Sequence, residues 1–149
     1  MAADLLAQAE HDTLALPLLV TTDESFVAKV EAELTKQLAV LPTAPVASVS
    51  LASGYVVVCK DMDTAIDIAN RLAPEHLEVI TANEDDVAAK LQHYGGLFIG
   101  SSAAEVLGDY GAGPNHTLPT GGTARYTGGL SVFNFLRIRT WLKIDHPEM

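Results

Sequence analysis

Basic residues are scarce in this sequence. Nine lysines and arginines stand against 19 aspartates and glutamates, for a formal charge of -10. Such a surface repels a phosphate backbone, so no nucleic-acid partner is expected. Cysteine is scarcer still: Cys59 stands alone, which rules out a disulfide within the chain. The valines before it mark it as a small buried hydrophobe in a reducing compartment. No apolar run reaches membrane-spanning length, and MAADLLAQAEHD lacks the basic region and apolar core of a signal peptide. No membrane association is therefore expected, and the expected location is cytoplasmic.

Several catalytic signatures are also missing. There is no Gly-x-Ser-x-Gly, and Cys59 sits inside a strand pattern, so nucleophilic catalysis finds no support. No Gly-x-x-x-x-Gly-Lys or Gly-x-Gly-x-x-Gly follows a strand, because Gly111-Ala-Gly113 runs straight into Pro-Asn-His. A nucleotide site built wholly from this chain is therefore not expected. Internal repeats and low-complexity tracts are absent as well.

What is present is an ordinary folding composition. Hydrophobic residues make up 48% and mean hydropathy is +0.21, enough for a packed core in one domain spanning residues 1–149. Ala2 to His11 reads as a short helix, with Leu5, Leu6 and Ala9 on one side and Gln8 and His11 sharing a neighbouring face. A short apolar strand at Leu16–Thr21 precedes a helix from Thr22 or Asp23 to about Leu41, which Pro42 and Pro45 end. Tyr55–Cys59 is the clearest strand, its consecutive β-branched residues implying burial on both faces. A helix from Asp61 stops at Pro74, and Leu77–Thr81 forms a strand. A helix capped by Asn83 runs to Gly95-Gly96, and Leu97–Ile99 is the fourth strand. Ser102-Ala-Ala-Glu105 has the form of a capping box, and Ser131–Leu142 reads as a helix giving way to extended chain. Strand and helix alternate four times. The expected fold is α/β, a mostly parallel, incomplete Rossmann-like sheet with helices on both faces, and ligands beyond the carboxyl ends of its strands.

The stretch from Gly108 to Gly129 stands apart. Its seven glycines and two prolines bar a long helix or a central strand. Yet it carries Asp109, Tyr110, Asn115, His116, Thr117, Thr120 and Thr123, a polar inventory that a mere connection does not need. It reads as a binding loop. Upstream, Glu75 and His76 follow Pro74, a carboxylate and an imidazole suited to proton transfer near neutral pH, although the pair alone reads first as a solvated surface turn. His11, Asp109 and His116 are candidate metal ligands, with the Gln8 amide as a weaker one, although no HxxxH, HExxH or CxxC fixes two of them locally. His93 and His146 have no chemical company and read as surface residues.

Three segments, LLAQAEHD (5–12), APEHLEV (73–79) and GDYGAGPNHTLPTGGTARYTGGLSVFNFL (108–136), resemble the C-terminal half of histidinol dehydrogenases in content, order and spacing. The resemblance implies an NAD-dependent, two-step oxidation of L-histidinol to L-histidine through an enzyme-held aldehyde, with a zinc ion holding the substrate. It implies that Gln8, His11 and Asp109 ligate zinc, that His76 is the general base and Glu75 activates water, and that His116 contacts the substrate. It also implies that most NAD contacts and a site serine belong to a part of the family fold without counterpart in these residues. A further zinc-ligating histidine and a substrate-binding glutamate would come from a C-terminal extension reaching across a dimer. The chain would then work with a complementary chain or as a homo-oligomer. A second reading is a non-catalytic module that binds zinc or an imidazole ligand, or acts as a scaffold.

Overall fold

The computed structural model describes residues 1–108, 110–111 and 115–145. Helix α1 (Ala2–His11) buries Ala2, Leu6 and Ala9, and packs on two further helices, α2 (Glu24–Leu38) and α3 (Ala44–Ser53). Small residues let these helices approach: Ala9 and Ala47 are fully buried, with Leu6 beside them and Leu34, Leu38, Leu41 and Leu51 closing round. Ser50, also fully buried, donates its hydroxyl to the Ala15 carbonyl at 2.9 Å and so meets the need of a buried polar group for a partner.

Strand β1 (Leu18–Thr21) pairs in parallel with β2 (Tyr55–Val58), Leu18 opposite Tyr55 and Thr21 opposite Val58. The connection between them runs through α2 and α3. Asp23 caps α2 through the Ser25 N–H at 2.8 Å. Asp61 likewise caps α4 (Met62–Leu72) through the Thr64 N–H at 2.8 Å. Each carboxylate satisfies an N–H that the helix leaves without an internal acceptor. A second parallel pair follows: β3 (His76–Val79) beside β4 (Gly96–Ile99), joined through the short helix α5 (Glu84–Ala88). Ile66 and Ala69 of α4, Val79 of β3 and Leu91 form the second core, with Leu77, Val87, Tyr94 and Leu97 against it.

The α/β class and the parallel pairing hold as expected, and the four strands form two separate pairs. Several local expectations change. Helix α3 was hidden by reading Pro42 and Pro45 only as breakers. Pro45 sits in its first turn, where a missing N–H costs nothing and the fixed φ suits a helix. Strand β2 is not buried on both faces: Tyr55, Val56 and Val58 are exposed by 45%, 39% and 48%, because no described helix covers them, whereas Cys59 is buried. Asn83 precedes α5 without a side-chain capping bond, and α5 is shorter than the sequence suggests. The helix expected at the start of Ser131–Leu142 is only one 3-10 turn, Val132–Phe135, capped by Ser131 and Asn134; beyond it residues 136–145 carry no regular element and are exposed. Its apolar side chains, among them Phe133, Phe135 and Trp141, find no core to enter. Among the described residues no helix is long and apolar enough to cross a membrane.

Ile66→Ala is expected to lower the unfolding free energy by about 2–5 kcal/mol, measured by denaturant titration, since Ile66 is buried in the second core and its loss leaves a cavity there.

Candidate active site

The site is assembled by one stripe of α1 facing β3. Asp4, Gln8 and His11 lie four and then three residues apart, which puts them on one side of the helix. On β3, His76 and Glu78 are two apart and share a face of the strand. The two rows meet. The His76 Nδ1 lies 2.9 Å from the Gln8 Oε1. Asp4 is close enough to Glu78 for its charge to raise the Glu78 carboxyl.

His76 owes its position to the backbone before it. Helix α4 ends on Ala73, a fully buried alanine in the left-handed region at φ 49°, unusual for a residue with a Cβ. Pro74 then denies the helix another turn. The Pro74 and Glu75 carbonyls accept the N–H groups of Gly95 and Gly96 at 2.9 and 2.7 Å, tying the segment to the start of β4. Gly95 cannot be replaced without movement, since a Cβ there would stand 2.5 Å from the Glu75 carbonyl oxygen and 3.1 Å from the Leu118 Cβ. Gly96 lies opposite His76 in the ladder, and the Phe98 ring leans across the vacant side to within 6.0 Å of the imidazole.

The Gly-rich stretch takes an unexpected course. The chain leaves the carboxyl end of β4 at Ile99, yet Glu105, His116 and Leu118 all lie beside the amino ends of both strands. Glu105, opening the 3-10 turn Glu105–Gly108, brings its Oε2 to 3.5 Å from the His76 Nδ1, and Leu118 reaches Gly95 and Gly96. The expected site at the carboxyl ends is corrected accordingly: a small cleft is lined by His76, Phe98, Glu105, Asn115, His116 and Leu118, beside the amino ends of β3 and β4. Asn115 clasps the loop by donating Nδ2 to the Leu130 carbonyl at 2.5 Å and accepting the Thr117 N–H at 2.9 Å. Leu130 N–H donates to the Thr117 carbonyl at 2.8 Å, and a Cβ on Gly129 would stand 2.8 Å from that oxygen. Arg125, in the 3-10 turn Thr123–Arg125, reaches the Arg71 carbonyl near the end of α4 and so pins the far side of the loop.

Charge at the site is negative. Glu78 is pushed up to about 6, first by burial, then by the nearby Asp4 and Glu105 charges; the Met1 amine and the Glu105 N–H partly offset this.

Of the residues singled out in the sequence, His76, His116 and Gln8 come together at or beside the cleft. Glu75 is half-buried next to His76 but does not line the cleft. His11, the last residue of α1, is exposed and also outside the lining. Asp109 and His146 lie outside the described residues. His93 is partly buried, its N–H directed at the Asn70 side chain. Among the described residues no three His, Cys, Asp or Glu side chains gather as a metal would require. The donor chemistry of Gln8 and His11 nonetheless suits zinc, an amide oxygen and an imidazole one helical turn apart. Sequence reasoning missed Glu105 and Glu78. Glu105 was read as the end of a capping box, whereas in the structure it begins a 3-10 turn, and no local signal shows that its carboxylate meets an imidazole 29 residues earlier.

A family model described as histidinol dehydrogenase matches residues 1–149. The chain belongs to the histidinol dehydrogenase family. Relatives of that name include one from Nitratidesulfovibrio vulgaris, 56% identical over 138 residues, covering 92% of this chain and 32% of the relative. Another, from Lactococcus lactis, is 46% identical over 142 residues, covering 95% of this chain and 33% of the relative. The crystal structure of histidinol dehydrogenase from Elizabethkingia anophelis superposes with a TM-score of 0.86 at 38% identity, covering 89% of this chain and 30% of that one. The chain thus spans about a third of the length of the curated histidinol dehydrogenases it matches.

Two outcomes follow from this geometry. Gly95→Ala is expected to cost about 1–3 kcal/mol in denaturant unfolding, because its new methyl would press on the Glu75 carbonyl and on the Leu118 and Pro119 side chains. The raised Glu78 carboxyl means that the folded chain holds this proton more tightly than the unfolded chain, where the value is 4.5. Its contribution to stability is therefore complete below pH 4.5 and lost as pH rises through 6. Glu78→Gln should stabilise the chain above pH 6 and give no such gain below 4.5, read from unfolding midpoints across that range.

Proposed function

We propose that this chain supplies the acid–base and metal-holding part of a site that oxidises L-histidinol to L-histidine, with NAD as oxidant in two steps. The observation that carries this reading is the His76 imidazole, held by Gln8 at one nitrogen and facing a cleft that it shares with His116. With Nδ1 engaged, Nε2 is the ring atom that takes the hydroxyl proton as the alcohol is oxidised. Glu75, adjacent in the chain, takes a proton from the water that adds to the aldehyde before the second oxidation. NAD, when bound, accepts a hydride in each step, and most of its contacts come from other parts of the family fold. The reading assigns His116 to the substrate. The carboxylates of Asp4, Glu78 and Glu105 give the site a negative field that favours a substrate bearing an amine.

Zinc is assigned to Gln8, His11 and Asp109. When bound, it supplies a fixed cation on which the imidazole and amine of the substrate are oriented. Gln8 would then lie between the metal and His76, in reach of both. Covered apolar surface completes the proposal: Tyr55, Val56 and Val58, and the apolar side chains from Leu130 to Ile144, are exposed here and suit burial against a complementary family chain. Reaction in the cytoplasm accords with a biosynthetic substrate.

Titration calorimetry tests the assignment. L-histidinol is expected to bind the zinc-loaded chain, and His116→Ala to weaken that binding at least about tenfold, or ~1.4 kcal/mol. His11→Ala should weaken zinc binding itself by a similar factor, measured by equilibrium dialysis. A folded, zinc-loaded chain that ignores histidinol would overturn the reading and leave a scaffold or binding module.

A further inference from the structure

Two acceptors face the His76 Nδ1, and they differ in kind. Gln8 presents Oε1 at 2.9 Å, the closer contact and a true hydrogen bond. An amide, however, can turn either its oxygen or its NH2 to a ring nitrogen, so Gln8 by itself suits both neutral tautomers of the imidazole. The Glu105 Oε2 stands at 3.5 Å, longer than a hydrogen bond but within ion-pair range. A carboxylate only accepts. It favours an N–H dipole directed at it and disfavours a lone pair, and here both side chains are only 21% exposed, so the preference is less screened than at the surface.

Glu105 is itself held in place. It opens a 3-10 turn, and its backbone N–H donates to the Glu78 carboxyl on the same face of β3 as His76. The carboxylate is thus presented to the imidazole by a segment anchored to the strand that carries it. The Phe98 ring stands beside the imidazole, its centroid 6.0 Å away and its plane tilted by 51°.

We propose that Glu105 is a positioning residue for His76: its carboxylate beside Nδ1 selects the tautomer protonated on Nδ1 and leaves Nε2 as the proton acceptor. The functional meaning rests on the reading of His76 as general base. Gln8 then follows the choice that Glu105 makes, turning its oxygen to the ring, and the base remains set even when Gln8 is drawn to another partner.

Long-range proton–nitrogen correlation spectra of the chain, without metal or substrate, read the tautomer directly. They are recorded at about pH 8.5, above the ordinary imidazole value of ~6.5. The native chain is expected to show His76 Nδ1 as a protonated nitrogen and Nε2 as a lone-pair nitrogen. Glu105→Gln, which keeps the shape but is no longer an acceptor only, should bring the two resonances toward each other. Gln8→Ala should leave their separation intact. An Nε2-protonated His76 in the native chain would overturn the proposal, and that observation needs no variant to fold. So would an unchanged separation in Glu105→Gln with a native backbone amide spectrum, or its loss in Gln8→Ala. Because neither histidinol nor zinc enters the measurement, failure here leaves the assignment of His76 as base standing. Failure of histidinol binding likewise leaves the tautomer result intact.

Discussion

A polar seam between α1 and β3 organises the molecule. Gln8 meets His76, so a helix and a strand that are far apart in sequence join through groups that water only partly reaches, while the like charge of Asp4 works against Glu78 beside them. Partly buried polar groups left unmatched would destabilise the fold, whereas matched ones specify a single register of helix against strand. The two apolar clusters, around Leu6 and Ala47 on one side and Ile66 and Val79 on the other, are separate. The seam links the halves of the chain that those clusters stabilise.

Around it, the backbone is shaped by exclusion as much as by attraction. Ala73 in the left-handed region, Pro74 after it and Gly95 against the Glu75 carbonyl leave Glu75 and His76 one course, along the start of β4. A strained residue next to a candidate base is the kind of cost that surrounding packing must offset, and Ala73 is fully buried. The Asn115–Thr117–Leu130 clasp does the same for His116: it closes a glycine-rich segment on itself with three hydrogen bonds rather than a core. The candidate residues thus sit on irregular backbone held by hydrogen bonds to β4 and within the loop.

Negative charge near the site accords with the assigned chemistry. The carboxylate of Glu105 raises Glu78 and flanks His76, so on the proposed reading one side chain would shape both the field a cationic substrate meets and the tautomer of the base. The exposed apolar residues of β2 and of the stretch from Leu130 to Ile144 form the surface that the proposed complementary chain would cover.

Much was determined by the sequence alone. Helical periodicity marked α1, α2 and α4, β-branched residues marked β1 and β2, and short apolar segments marked β3 and β4, because these signals are local and of short period; the Gly108–Gly129 composition pointed to a loop. The motifs at Gln8, His11, Glu75, His76 and His116 carried the family resemblance, and the match over residues 1–149 establishes that family. Only the tertiary structure decided that the four strands make two pairs, that β2 lies open, that Pro45 starts a helix, and that the loop folds back to the amino ends of β3 and β4. The same holds for Glu105 and Glu78. Nothing near either residue in the chain shows what it faces, since contacts across 29 residues or from another helix are set by packing and not by local pattern. The sequence could supply the imidazole; the fold supplied the carboxylate beside it.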